Sequence, residues 1–168
     1  MPRHPAFVAL FLPFALAGMR ADAAEPRLTL DGYGPIRIGM TPSQLERAGV
    51  RYETPDNIFG GIQECAHAAV VGRPGLTLMF ENGRVSRIEV DRPGILTRSG
   101  AQVGDSEAKV KRLYGARLEV APEGHDNAGH VFVVSVAGNA SYLVMDTDGE
   151  VVTGMRAGPS AGYVEGCA

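Results

Sequence analysis

A pattern that opens at Gly39 returns 65 residues later, and this return limits the fold more than any other feature of the chain. In the first copy, Gly39-Met40-Thr41 leads into Pro42-Ser43-Gln44-Leu45-Glu46-Arg47-Ala48-Gly49. Thr41 is a suitable N-cap and Pro42 suits the first helical position, where a missing N–H leaves nothing unpaired. Gln44 completes a Thr-x-x-Gln capping box, Leu45 and Ala48 share a face, and Gly49 stops the helix. In the second copy, Gly104-Asp105-Ser106 leads into a helix over residues 107–114, with Val110 and Leu113 as its apolar stripe and Gly115 as its stop. Gly39 matches Gly104, Thr41 matches Ser106 and Leu45 matches Val110. Each helix is followed by strand patterns. After the first come residues 68–71, 76–80 and 85–90, and after the second 118–121, 131–137, 141–145 and 150–155. The hairpin turn Asn82-Gly83 returns as Asp148-Gly149 at a spacing of 66.

A two-turn helix and a meander cannot bury their apolar face alone. Two such units side by side can. The expected fold is therefore α+β: two diverged helix-plus-antiparallel-meander repeats forming one antiparallel sheet of about six to eight strands, with both helices on one face. Repeat 1 runs over about 30–94, repeat 2 over about 95–158, and a tail over 159–168. Gly at 22 and Pro at 11 of 168 residues fit many turns and argue against a helical bundle or coiled coil. A formal charge of −3 is of the wrong sign for a nucleic-acid module, so no nucleic acid is expected as a partner.

Residues 1–23 read as a secretory signal, with Arg3 and His4, then an apolar run over 5–18, then Ala21-Asp22-Ala23 as a cleavage site. Cleavage near Ala23 leaves a single globular domain over 24–168 in the periplasm or the medium, with no stable membrane anchor. Leu16-Ala17-Gly18 opens a lipoprotein box, but Met19 stands where the lipidated cysteine belongs. Cys65 and Cys167 are the only cysteines, and in an oxidising compartment an even pair is expected to form a disulfide. The alternative, a Cys65 nucleophile helped by His67, His125 or His130, needs a base held beside it, which nothing in the spacing demands.

Gly-Met-Thr leading into a short helix, a glycine ending it and hairpin strands after it resemble the tandem units of β-lactamase-inhibitor-protein-like domains. They also resemble the small SmpA/OmlA outer-membrane assembly lipoproteins. The resemblance covers most of residues 30–158. It implies a secreted, non-enzymatic α+β protein that offers one sheet face to a partner. Two departures stand out: the lipobox cysteine is missing, and two cysteines leave no disulfide within each unit.

Catalytic motifs are sparse. There is no Gly-x-Ser-x-Gly and no His-Glu-x-x-His, and Ser106 of Ser106-Glu107-Ala108-Lys109 is already needed as a cap. His125 and His130 lie five apart in a polar loop; as a zinc site they need a third ligand from afar, such as His67. Asp146-Thr147-Asp148-Gly149-Glu150 lacks a Glu at loop position twelve and reads as a hairpin. No catalytic residue, cofactor or metal is expected. Strand alternation instead points to a free sheet face. Thr77 and Met79 point away from the core, Arg87 and Glu89 join them, and the repeat spacing adds Leu143 and Met145. The expectation is a monomeric binding or inhibitor-like module for a protein or cell-envelope component. Its alternatives are a carbohydrate- or cell-wall-binding protein and a small periplasmic hydrolase.

Overall fold

The structure, a computed structural model, describes residues 25–54, 61–122, 128–162 and 167; the leader expected over 1–23 and the loop residue His125 lie outside them. The chain opens with three short strands, β1 (Leu28–Thr29), β2 (Gly32–Tyr33) and β3 (Ile36–Arg37), which form their own antiparallel sheet. Helix α1 (Pro42–Arg47) follows, then β4 (Tyr52–Glu53) and a single helical turn, α2 (Gly61–Glu64). Strands β5 (Cys65–Val70), β6 (Leu76–Glu81) and β7 (Arg84–Val90) form a meander. Helix α3 (Glu107–Tyr114) leads to β8 (Leu118–Pro122), β9 (His130–Val134), β10 (Tyr142–Thr147) and β11 (Val152–Gly158). The order β4-β5-β6-β7-β11-β10-β9-β8 makes one sheet of eight strands, and every adjacent pair in it is antiparallel. The α+β class and the antiparallel sheet are as the sequence implies. The short N-terminal sheet carries too few residues per strand for alternation to reveal it.

The helix starts obey their local chemistry. The Thr41 backbone N–H donates to Gln44 Oε1 at 2.8 Å, and Ser106 Oγ accepts from the Lys109 backbone N–H at 3.3 Å. Asn82 (φ 51°) and Gly83 (φ 70°) both take positive φ in the two-residue turn between β6 and β7, as a type I′ turn requires. The segments before α1 and α3 are pinned in the same way. Gly39 N–H donates to the Val85 carbonyl and Val85 N–H returns to the Met40 carbonyl, at 2.7 and 2.9 Å. Gly104 N–H donates to the Val152 carbonyl and Val152 N–H returns to the Asp105 carbonyl, at 2.8 and 2.9 Å.

Two cross-strand rows build the core. One runs Ala68–Leu78–Ile88–Ala157–Leu143–Val134–Leu118 and the other Leu76–Val90–Met155–Met145–Phe132, beyond which Val120 on the edge strand β8 is exposed. Residues facing each other across a ladder share a sheet face, so both rows lie on one side. Leu45 of α1 and Val110 and Tyr114 of α3 belong to the same buried cluster.

These rows correct one expectation. Leu143 and Met145 were expected on the free face beside Met79, yet both are core residues, 4% and 0% exposed. The spacing of 66 between the turns does not carry back along the strands. The first hairpin closes over two residues at Glu81–Arg84, the second over four at Thr147–Val152, with a register shift between Asp146 and Thr147. A slip of one residue exchanges the two faces, and Val144 takes the place assigned to its neighbours.

After β11 the chain crosses to the other face. Gly158 has φ 130°, and a Cβ there would collide with the Ser86 carbonyl oxygen, so only glycine lets the chain leave β11 this close to β7. A 3₁₀ turn over Pro159–Gly162 follows and buries Ala161. Cys167 is bonded to Cys65 on β5 (S–S 2.03 Å), 102 positions away in sequence. Among the described residues no helix is long and apolar enough to cross a membrane.

Candidate functional site

Thr77, Met79, Arg87 and Glu89 do share the face opposite the core rows, because Met79 faces Arg87 and Thr77 faces Glu89 across β6 and β7. Their exposure divides them. Met79 is 3% and Arg87 2% exposed, whereas Thr77 and Glu89 are half-buried. Arg87 is held from two sides. Its Nε donates to Glu89 Oε1 at 2.7 Å, its Nη2 lies 2.5 Å from the same oxygen, and its Nη1 donates to the Ser160 carbonyl at 3.2 Å. Ser160 Oγ in turn donates to Glu81 Oε2 at 2.6 Å. Part of the expected docking face is thus occupied by the protein's own C-terminal segment, and Met79 and Arg87 are not surface residues.

The rest of that face carries a polar row in strict register: Ala69, Thr77, Glu89, Arg156, Val144, Val133, Glu119, one residue from each strand from β5 to β8. Ala69 and Glu119 are exposed, and Thr77, Glu89, Arg156 and Val133 are half-buried. Arg156 Nη2 donates to Asp146 Oδ1 at 2.9 Å, and His67 Nδ1 lies 3.3 Å from Glu89 Oε2. Charges therefore alternate along the middle of the sheet. Removing one member has a calculable cost. Glu89→Ala removes the carboxylate that meets both Nε and Nη2 of the buried Arg87, at about 2 kcal/mol, because Glu89 is itself partly hydrated. The double variant R87M/E89M removes both ends of this pair together and is expected to lose less than E89A alone. Urea unfolding of the three proteins checks this ordering.

The histidines do not converge. His67 lies on β5 and His130 on β9, five strand spacings apart, roughly 24 Å, and on opposite faces. His67 Nε2 accepts from the Cys167 backbone N–H at 3.4 Å. The three-histidine zinc set therefore cannot form from these positions. Among the described residues no group of three or more His, Cys, Asp or Glu is placed to hold a metal. Cys65 is spent in the disulfide and has no thiolate to offer as a nucleophile.

His130 instead joins a cluster around Glu107, which is 8% exposed at the start of α3. Glu107 Oε1 accepts from Thr147 Oγ1 at 2.6 Å and contacts His130 Nδ1 at 2.7 Å, while Oε2 accepts from Lys111 Nζ at 2.9 Å. Burial opposes ionisation of this carboxyl, but the Thr147, Lys111 and His130 hydrogen bonds and the Lys111 charge outweigh it and hold its pKa below the ordinary value. The cluster ties α3 to β9 and β10. At the neighbouring turn, Asp148 Oδ1 accepts from the Glu150 and Val151 N–H groups at 2.9 and 2.8 Å, which lowers its pKa and makes the acidic run a turn device.

A feature that the sequence reading missed is a cleft of about 550 Å³ between β1 and its following turn, the C-terminal end of α3 and the ends of β9 and β10. Leu28, Val134 and Leu143 line its floor, and Arg98, Ser99, Arg117 and Asn139 are among its polar lining. It joins chain segments from four places, so no local motif announces it. Comparison with family models, with curated proteins and with solved structures returns no match for this chain.

Proposed function

We propose that the protein is an exported, non-catalytic binding module of two like units, with both helices on one sheet face and a protein or cell-envelope partner on the other. The matched hydrogen bonds of Gly39–Met40 with Val85 and of Gly104–Asp105 with Val152 support the duplication. So does a strand order that reads outward from β7–β11 alike in both directions. The shared cluster of Leu45 with Val110 supports a common side for the helices. The Cys65–Cys167 bond supports a life outside the reducing cytoplasm, in the periplasm or beyond it; the proposed form there is a monomer after cleavage near Ala23.

The observation that carries the binding reading is the row Ala69–Thr77–Glu89–Arg156–Val144–Val133–Glu119. It runs across seven strands, sets the adjacent Glu89 and Arg156 beside the valine pair Val144 and Val133, of which Val144 is buried, and keeps its two ends exposed. A rigid sheet holds such a row without an ordering cost at binding, and mixed polarity is typical of non-obligate interfaces. The expected contact residues are thus Thr77, Glu89 and Val133, while Met79 and Arg87 lie buried beside them on the same face, where Arg87 meets the C-terminal segment. The test is photocrosslinking from positions 77 and 133 in intact bacterial envelopes. A single crosslinked component, lost when the other position carries arginine and kept when Arg112 on α3 is changed to Gln, is the expected result. Crosslinks that are equal from the sheet and from α3 overturn the reading.

A further inference from the structure

We propose that the cleft beneath β1 is a binding site for a small amphipathic carboxylate, a single carboxylate head on an apolar body. This goes beyond the sheet-face reading and draws on the core side of the molecule. The walls are fixed. Leu28 is fully buried and bridges Thr97 in parallel, its N–H donating to the Leu96 carbonyl and the Arg98 N–H donating to its own carbonyl, both at 2.9 Å. Tyr114 O–H donates to Thr97 Oγ1 at 2.8 Å, which anchors α3 to the same wall. Across the mouth, Asn139 Nδ2 donates to both carboxylate oxygens of Asp31, at 3.1 and 3.0 Å. The cleft is held open by bonds made within the protein, as small-molecule sites generally are, and its volume of about 550 Å³ lies in their usual range.

The chemistry of the lining selects the ligand. Its apolar side is Leu28, Leu30, Val134, Val136 and Leu143. Val136 is 55% exposed, a degree of solvent contact that an apolar ligand body would relieve. The charged rim has two guanidinium groups, Arg98 and Arg117, against one carboxylate, Asp31, whose oxygens the Asn139 amide already engages. Among the described residues neither arginine has a carboxylate within ion-pair distance, and Arg117 is steadied by stacking over the Tyr114 ring at 5.6 Å. A locally cationic rim on a chain of net charge −3 calls for an anion. The planar fork of arginine matches the paired oxygens of a carboxylate or a phosphate, and the Asp31 carboxylate on the same rim favours the singly charged carboxylate over the more highly charged phosphate.

The probes are decanoate, decanol and decyl phosphate, titrated calorimetrically into the mature oxidised protein. Decanoate is expected to bind one to one, with a Kd of about 100 µM or tighter. Decanol, which lacks the charge, is expected to bind at least about tenfold more weakly. R98Q and R117Q should each weaken decanoate by about tenfold, and Val136→Asp by a similar factor, with far-UV circular dichroism and melting temperature unchanged because all three positions are exposed. Arg51→Gln, away from the cleft, should leave binding unchanged. No saturable binding, equal binding of decanol, or decanoate binding indifferent to both arginine variants would each overturn the proposal. Decyl phosphate bound more than about tenfold tighter than decanoate would overturn the carboxylate assignment. A failure here leaves the sheet-face crosslinks untouched, and the reverse also holds.

Discussion

Replacing both Cys65 and Cys167 by serine is expected to lower the unfolding free energy by about 4–5 kcal/mol. For a domain of this size that corresponds to a fall in Tm of roughly 10–15 °C. The argument concerns the unfolded chain. The bond closes a loop between positions 102 apart, and in the chain-entropy account closing a loop of that length removes about 4–5 kcal/mol of chain entropy from the unfolded state. The native side adds a local effect. Ser160 holds Arg87 and Glu81, and Cys167 donates to His67, so the tail and the β5–β7 face are bonded at several points. Once the covalent tie is cut, the tail keeps these hydrogen bonds but loses its covalent restraint. Arg87, 2% exposed with the bond intact, is then expected to react with phenylglyoxal severalfold faster, while Arg112 on α3 reacts at its old rate. Thermal melts and peptide mapping of the oxidised protein and the double-serine variant measure both effects. A Tm within a degree of wild type would remove the disulfide from the stability argument.

The reading of the sequence succeeded where chemistry is local and failed where it is not. Thr41 and Ser106 announce helix starts because an N-cap is decided by a few neighbouring residues. Asn82-Gly83 announces its turn because few residues tolerate two positive φ values. The Cys65–Cys167 pair was legible by elimination, with no third cysteine to compete. The faces of β10 were not legible. They depend on where a register shift falls, and the shift between Asp146 and Thr147 has no sequence signature. The occupied state of Arg87 was hidden for a related reason. An arginine at an alternating strand position reads as solvent-facing, and only a segment more than 70 residues away, with Ser160 supplying its carbonyl, covers it. The cleft was the least legible feature, since Leu28, Arg98, Arg117 and Asn139 are distant in sequence and become neighbours only through the tertiary fold.

Loss of the Glu107 side chain is expected to loosen the second half of the sheet. Its carboxylate is the meeting point of Thr147 on β10, His130 on β9 and Lys111 on α3. Glu107→Ala leaves the Thr147 hydroxyl, itself in a residue only 5% exposed, without this acceptor and removes the anion beside His130 and Lys111. The expected cost is about 3 kcal/mol, the range for a buried, charge-assisted network that loses its hub. The sign of the pH dependence follows from the lowered pKa. Protonation of Glu107 is harder in the folded protein than in the unfolded chain, where the value is near 4.5. The ionised form therefore contributes its full stabilisation above that value. The contribution drains away as the pH falls below 4.5 and through the lower folded value. Glu107→Gln keeps the volume and an acceptor for Thr147 but cannot ionise. Its deficit against wild type is expected to be largest near pH 7 and to shrink steadily below pH 4.5. Urea unfolding of wild type, E107Q and E107A at a series of pH values resolves this. A deficit for E107Q that stayed constant into acid would show that the charge on Glu107 contributes nothing, and that only its shape holds α3 to the strands.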